Sequence, residues 1–356
     1  MSRRNETRDN LTKLKSLWAR GESLLIVMQN NPDHDAIAAA CALRELANST
    51  AGLNCQFAYG GTIGRAENRE LVHYLGFTFH PFTEIKHQKS DLIALVDTQP
   101  AAGNNPLPEG VQPDIIIDHH PAIEASRGVA FADIRENYGA TSTMMWEYLR
   151  EAKITPGMPI ATALLYGIRS DTQDLGRETT QADIDAIESL YPLANKRMLG
   201  QIQRGRVPSD YYQMLSMALY NTRIYSHALI CNIGDIDNPD MIGEVADLLL
   251  RHEEVDWVMC YGFCNNPLSK CAGQMLISFR TQDNTLAAGE VAHKVVDKLG
   301  TGGGHEHMAG GQITLPAAKR KRIEGLIRRR FLKALRIRTR KAAPLVRITP
   351  KKAPRK

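Results

Sequence analysis

Ser23-Leu24-Leu25-Ile26-Val27-Met28-Gln29 runs into Asn30-Asn31-Pro32-Asp33-His34-Asp35, and this passage from apolar run to acidic loop sets the reading of the first half of the chain. A short run rich in Leu, Ile and Val reads as a strand buried on both faces of a parallel sheet. A carboxylate at the end of such a run loses hydration, which must be offset by an opposite charge or by hydrogen bonds. The arrangement recurs three times. Leu92–Val96 leads to Asp97, Ile115–Ile117 to Asp118-His119-His120, and Leu164–Ile168 to Arg169-Ser170-Asp171. Four acidic stations point to cations. Carboxylates with imidazole suit Mn²⁺ or Mg²⁺ better than Zn²⁺, which more often recruits Cys.

Working outward, residues 7–20 have apolar positions at helical spacing, and a helix of small residues is expected over Ala36–Leu46. A strand at Gln56–Tyr59 and a helix around Glu67–Leu75 lead to the Asp97 strand. Strands alternating with helices imply an α/β fold, a doubly wound parallel sheet, over residues 1–190. Ligands of such sheets bind beyond the carboxyl ends of the strands, where Asp33, Asp35, Asp97 and the Asp118-His119-His120 run then fall. Residues 191–214 are polar and form the candidate linker. Strands at Ser226–Ile233, Trp257–Phe263 and Gln274–Thr281, with helices near 240–252 and 287–299, describe a smaller α+β domain. A helix over 317–337 caps it, so the domain spans 215–337.

Asp33 and Asp35 share one tight loop. With Asp97 and Asp171 as bridging or flanking ligands and His119 as a nitrogen donor, they could hold two cations about 3.5–4 Å apart, a spacing that activates water for in-line attack on phosphorus. Each Asp alone could equally be a helix N-cap or a turn residue; the set, with Asp-His-His, argues for metal.

The 356 residues include 44 Lys and Arg against 39 Asp and Glu. Residues 319–356 hold 17 of the basic residues and one acid, so an acidic body with a net charge of −11 carries a basic tail. Such asymmetry suggests an anionic partner for the tail, such as nucleic acid, with a merely solvated tail an alternative of equal weight. Residues 338–356, with Pro344, Pro350 and Pro354 among Arg and Lys, are expected to be disordered. No apolar stretch approaches a membrane span, and the charged N-terminus is unlike a secretory signal. A cytoplasmic protein is expected, with its six cysteines as core or surface thiols.

At these motifs the chain resembles the DHH phosphoesterases, in which a catalytic domain precedes a DHH-associated domain. Asn31-Pro32-Asp33-His34-Asp35-Ala36 looks like the first motif, Val96-Asp97 the second, Asp118-His119-His120 the third and Ser170-Asp171-Thr172 the fourth. Gly302-Gly303-Gly304-His305 resembles the family's substrate loop, with Ala309-Gly310 continuing the pattern. The size is closer to the nano-RNase and 3′-phosphoadenosine-5′-phosphate phosphatase branch than to the larger RecJ exonucleases. The resemblance implies Mn²⁺-dependent hydrolysis of short RNA or DNA oligonucleotides or of nucleoside bisphosphates. It implies Asp33, Asp35, Asp97, His119 and Asp171 as ligands, with His120 facing the substrate phosphate; Asp97 and His120 are the candidate catalytic residues. Arg280 matches a family Arg that grips the substrate, beside Gly302, Gly303, Gly304 and His305. The pattern departs at Gln29, where the branch usually has a His ligand; a Gln carbonyl ligates a hard cation more weakly. A homodimer is a further expectation.

Two other functions stay open. One is hydrolysis of a cyclic or linear dinucleotide or of polyphosphate. The other is a nucleotide-binding or nucleic-acid-binding regulatory protein in which Gln29 has weakened one metal site.

Overall fold

A computed structural model of the protein describes residues 3–85, 92–176, 179–265, 271–304, 306–339 and 341–347. The chain divides into two compact units, residues 1–206 and 207–356.

The first unit contains strands β1 (Ser23–Asn30), β2 (Asn54–Gly60), β3 (Phe79–Pro81), β4 (Leu92–Val96), β5 (Ile115–Asp118) and β6 (Phe131–Ile134). Its helices are α1 (Arg3–Trp18), α2 (His34–Ala51), α3 (Ala66–Leu75), α4 (Thr141–Glu151), α5 (Met158–Asp171), α6 (Gln181–Leu190) and α7 (Lys196–Ile202). The strands form one parallel sheet in the order β3-β2-β1-β4-β5-β6. The order reverses between β1 and β4, so the carboxyl ends of these two neighbours open a crevice. Leu24, Ile26 and Met28 of β1 enter the core that the helices build. The alternate residues Leu25 and Val27 pack with Ala58, Leu95 and Ile116 beneath Phe82, Ile85, Leu107 and Val129. Both faces of β1 are therefore covered, which is why its sequence is apolar without alternation.

Helix α2 begins on the Asp33 cap, whose side chain accepts the Ala36 amide, and ends at Gly52 with φ 68°. Its fully buried Ala36, Ala38, Ala39, Ala40 and Ala42 add little bulk. The alanine surface lets α4 and α5 pack close to α2, bringing their ends to the sheet crevice.

One expected strand is absent. Leu164–Ile168 lies inside α5, which starts with proline in its first turn and runs to Asp171. Residues 160–168 are all buried, so helical periodicity is erased and a short apolar run imitates a strand. Asp171 thus comes from the end of a helix. The segment 191–214 is also not a plain linker: α7 buries Leu199 and Ile202 in the first core, and a further helix begins at Ser209.

The second unit contains α8 (Ser209–Asn221), β7 (Arg223–Tyr225), β8 (Ala228–Ile236), α9 (Asp240–Leu249), β9 (Trp257–Cys264), β10 (Gln274–Thr281), α10 (Ala288–Val296), β11 (Thr301–Gly304), β12 (Met308–Thr314), α11 (Arg320–Ala334) and β13 (Ala343–Pro344). Its mixed sheet has the order β11-β12-β10-β9-β8-β7-β13. Helices α10 and α11 cover one face through Val291, Val295, Ile327 and Phe331. Helices α8 and α9 cover the other through Ala218, Ile242, Val245 and Leu249.

Two expectations fail here. Residues 341–347 are ordered rather than free tail: β13 pairs with β7, and Leu345 packs against the α8–α9 core. The remainder, 348–356, lies outside the described residues, as does Arg340. Cys264 and Cys271 are joined by a disulfide across the end of β9, while Cys41, Cys55, Cys231 and Cys260 are thiols. No helix among the described residues is long and apolar enough to cross a membrane.

Candidate metal centre

The crevice at the β1–β4 reversal collects the acidic stations. Asp35, in the first turn of α2, is fully buried. Its two oxygens accept the amides of Thr141 at 2.7 Å and Ser142 at 2.8 Å, the first residues of α4. A helix N-terminus is suited to an anion. Burial, then repulsion from Asp171, still pushes the Asp35 carboxyl up to about 7. Asp97 follows β4 with φ 60°, a left-handed conformation that Asp and Asn tolerate. Its carboxylate is buried, accepts the Thr141 hydroxyl at 2.9 Å, and is held well above the usual range by burial and by Asp35 and Asp33. Asp171 is likewise raised, by burial and then by Asp33. The site gathers negative charge that its own hydrogen bonds do not neutralise.

His119 sits among these charges. Its Nδ1 lies 3.1 Å from the Tyr138 carbonyl, which can only accept, so Nδ1 carries the proton and the neutral ring keeps its lone pair on Nε2. Nε2 is buried and has no hydrogen-bond partner. It faces carboxylate oxygens of Asp171 at 3.4 Å and Asp97 at 3.6 Å. A buried lone pair aimed at two carboxylates is a misfit that a cation resolves, and a carbonyl behind the ring is the usual orienting partner of a ligating imidazole. Among the described residues two groups could hold an ion, Asp97–His119–His120 and Asp35–His119–Asp171. Both use His119. When no cation is bound, burial lowers the His119 pKa but the flanking carboxylates, Asp171 foremost, outweigh it and lift the imidazole to about 10. A proton then occupies the place suited to a metal.

His120 is held differently. Its Nδ1 donates to Asp118 Oδ1 at 2.8 Å, and it lies 3.8 Å from Asp97. Burial opposes ionisation of Asp118, but the bond to His120 prevails and its pKa falls below the usual value. Gln99 donates to the second Asp118 oxygen at 2.7 Å. Asp118 thereby serves as the support of His120.

Asp33 caps α2 through one oxygen and accepts from Gln29 Nε2 at 3.2 Å with the other. Gln29 Nε2 also lies 3.3 Å from Asp97 Oδ2. His34 packs against Tyr166, with ring centroids 4.3 Å apart and the planes tilted by 53°, and is bonded to Ser170.

In the second unit, Gly302–Gly304 form strand β11 rather than a free loop. Gly303 pairs with Gly310, which pairs with Ser278, so a row nearly bare of side chains crosses three strands. Arg280, two residues along β10, donates to Asp247 at 2.5 Å and to Ser278 Oγ at 2.7 Å. His305 lies outside the described residues.

Several residues that shape the centre escaped the sequence reading. Thr141 and Ser142 carry no signal beyond opening a helix. Asp183 is legible only as the capping-box partner of Thr180, yet it also accepts Gly139 N at 3.0 Å and Thr143 Oγ1 at 2.5 Å. It thereby fixes the loop whose Tyr138 carbonyl orients His119. Gly167 is demanded by space: a Cβ there would lie 2.5 Å from Ser142 Oγ and 3.1 Å from the Asp35 Cα.

A parallel sheet carrying a carboxylate–histidine cluster at its strand-order reversal, followed by a mixed-sheet unit, defines a class of two-domain α/β proteins. Within it, residues 23–168 match the DHH family, N-terminal domain, and residues 225–329 match the DHHA1 domain, so this chain carries both. An uncharacterised protein of Methanocaldococcus jannaschii is 33% identical over 324 residues, covering 88% of this chain and 64% of that protein. A probable manganese-dependent inorganic pyrophosphatase of Lactobacillus gasseri is 29% identical over 174 residues, 48% of this chain and 54% of the relative. This chain thus spans between about half and two thirds of the length of these relatives. Among solved structures, an exopolyphosphatase-related protein of Bacteroides fragilis superposes with a TM-score of 0.67 at 13% identity, covering 92% of this chain and 97% of that one. RecJ of Thermus thermophilus in complex with Mn²⁺ gives 0.54 at 13% identity, covering 92% of this chain and 55% of RecJ. These likenesses concern the fold.

Proposed function

We propose that the protein is a Mn²⁺-dependent hydrolase of phosphate esters, acting on short oligonucleotides or nucleoside 3′,5′-bisphosphates. The observation that carries the reading is the buried Nε2 lone pair of His119 among Asp35, Asp97 and Asp171. These four residues would hold the cation, with Asp33 and Asp97 bordering room for a second. A divalent ion there supplies Lewis acidity toward a phosphoryl group and makes water a competent nucleophile near neutral pH. The chain does the rest. Asp35 is held by the α4 amides and Asp97 by Thr141, so neither ligand moves as charge develops. His120, supported by Asp118, stands on the more open side, its side chain 38% exposed, and is placed to contact a phosphate or to protonate a leaving oxygen. The Gly303–Gly310–Ser278 row and Arg280 are the second unit's surface for substrate phosphate or base, and the basic C-terminal segment adds contact with anionic polymer.

A phosphoanhydride substrate is the second reading. It is favoured by the pyrophosphatase and exopolyphosphatase-related names of the relatives. The test is one panel: protein with Mn²⁺ offered two-to-five-nucleotide RNAs, a nucleoside 3′,5′-bisphosphate, a cyclic dinucleotide, pyrophosphate and polyphosphate. Turnover of the nucleotides supports the first reading. Turnover of anhydrides alone replaces it with the second, and inactivity on every member contradicts both.

A further inference from the structure

Gln29 ends a directional chain of hydrogen bonds that starts at a group able only to donate. The Leu107 amide donates to Asn105 Oδ1 at 3.1 Å. That fixes the Asn105 amide, whose Nδ2 then donates to the Gln99 carbonyl at 2.8 Å and to Thr98 Oγ1 at 3.3 Å. The Thr98 hydroxyl, buried and accepting on one side, donates to Asn104 Oδ1 at 2.6 Å. Asn104 therefore presents Nδ2 to Gln29 and donates to its Oε1 at 3.4 Å, the longest link. The carbonyl of Gln29 is thus turned away from the acids, and its Nε2 is turned toward Asp33 and Asp97. Rotating the amide to offer Oε1 as a ligand would set NH₂ against NH₂ at Asn104. Rotating Asn104 to match would leave the Thr98 proton without its acceptor.

A second observation concerns the supply of ligands. Both groupings suited to an ion share His119, whose Nδ1 is engaged by Tyr138. A single remaining lone pair serves a single ion. A second ion must lie toward Asp33 and Asp97, the flank where Gln29 places an N–H donor.

We infer that Gln29 is a positioning donor rather than a ligand, and that the Leu107–Asn105–Thr98–Asn104 relay makes the centre unequal. One cation binds tightly at His119, and a second binds weakly on the Asp33 flank. The inference rests on the metal-centre reading above and deepens it. It also makes Asn104 a control point: an acceptor there would turn the amide of Gln29 around without changing Gln29 itself.

The experiment titrates the metal-stripped full chain with Mn²⁺, following heat and electron paramagnetic resonance, for the wild type, Gln29→Glu and Asn104→Asp. The wild type should take up one equivalent tightly with an uncoupled Mn²⁺ spectrum, and a second at least about 100-fold more weakly; outer contacts of metal sites change affinity by about 10–100-fold. Gln29→Glu supplies a carboxylate ligand and should tighten the second site by at least about tenfold, giving an exchange-coupled spectrum. Asn104→Asp should tighten it in the same direction, which a merely structural role for Asn104 would not do. Two wild-type ions of matched affinity, or a second site unmoved in both variants, would overturn the inference while leaving the metal centre standing. No Mn²⁺ binding by the wild type would overturn both.

Discussion

His119 owes its orientation to the carbonyl of Tyr138, nineteen residues away in sequence. The Asp-His-His run announced the ring. The proton position that leaves the lone pair on Nε2 depends on Tyr138, which Asp183 and Gly139 hold in place. The charges around the ring give a pH dependence whose sign can be worked out. Asp35 is raised from 3.8 to about 7, so its stabilising protonated form is lost as pH climbs through that range. His119 is raised from 6.5 to about 10, so the stability of its ion pairs is full below its unfolded pKa and lost through the higher value. Both act in the same direction. Metal-stripped protein should melt at progressively lower temperature from pH 5 to pH 9, and saturating Mn²⁺ should remove the trend. A stripped protein equally stable across that range would contradict the charge balance described. Asp171→Asn removes one of the mutually repelling carboxylates, which lies only partly buried beside Asp33 and Asp35. At pH 8 it should raise the melting temperature of stripped protein while weakening Mn²⁺ binding by at least about tenfold. A drop in both quantities would instead make Asp171 a structural residue.

Strands β1, β4 and β5 could be read from sequence because a strand buried on both faces has a near-continuous apolar signature. Helix α5 could not, because a helix buried all round has the same one. Asp171 therefore reaches the centre from a helix end rather than a strand end. What sets that end in place is the close approach of α5 to α2 and α4, which depends on Gly167. Gly167→Ala would bring a methyl to 2.5 Å from Ser142 Oγ, forcing the α4 N-terminus away from Asp35. Overpacking of this kind costs about 1–3 kcal/mol. The variant should lose roughly that much stability in denaturant melts and bind Mn²⁺ less tightly; full stability with unchanged metal affinity would show that the contact relaxes freely. At the other end of the chain, β13 was hidden in a basic, proline-bearing segment that composition assigns to disorder. Its pairing with β7 and the packing of Leu345 mean that deleting residues 341–356 removes folded structure. The truncated protein should lose about 1–2 kcal/mol, on the scale of one partly buried Leu and its backbone bonds. Identical melting curves would return the segment to the status of an appendage.

For the whole molecule, the sequence disclosed a two-domain α/β protein with acidic stations at the carboxyl edge of its sheet, because buried strands and clustered acids are statements that residues make locally. It did not disclose the β1–β4 reversal that brings the stations together, nor the relay that turns Gln29 into a donor, because both depend on neighbours distant in sequence. The Cys264–Cys271 disulfide belongs to the same category. The cation that we propose at His119 is open to a direct structural test. Anomalous diffraction from crystals of the full chain soaked in Mn²⁺ tests this directly. A peak is expected at about 2.0–2.3 Å from His119 Nε2, with carboxylate oxygens from among Asp35, Asp97 and Asp171 completing the coordination. A crystal saturated with Mn²⁺ that shows no peak there, or a peak that leaves His119 without a bond to metal, would contradict it.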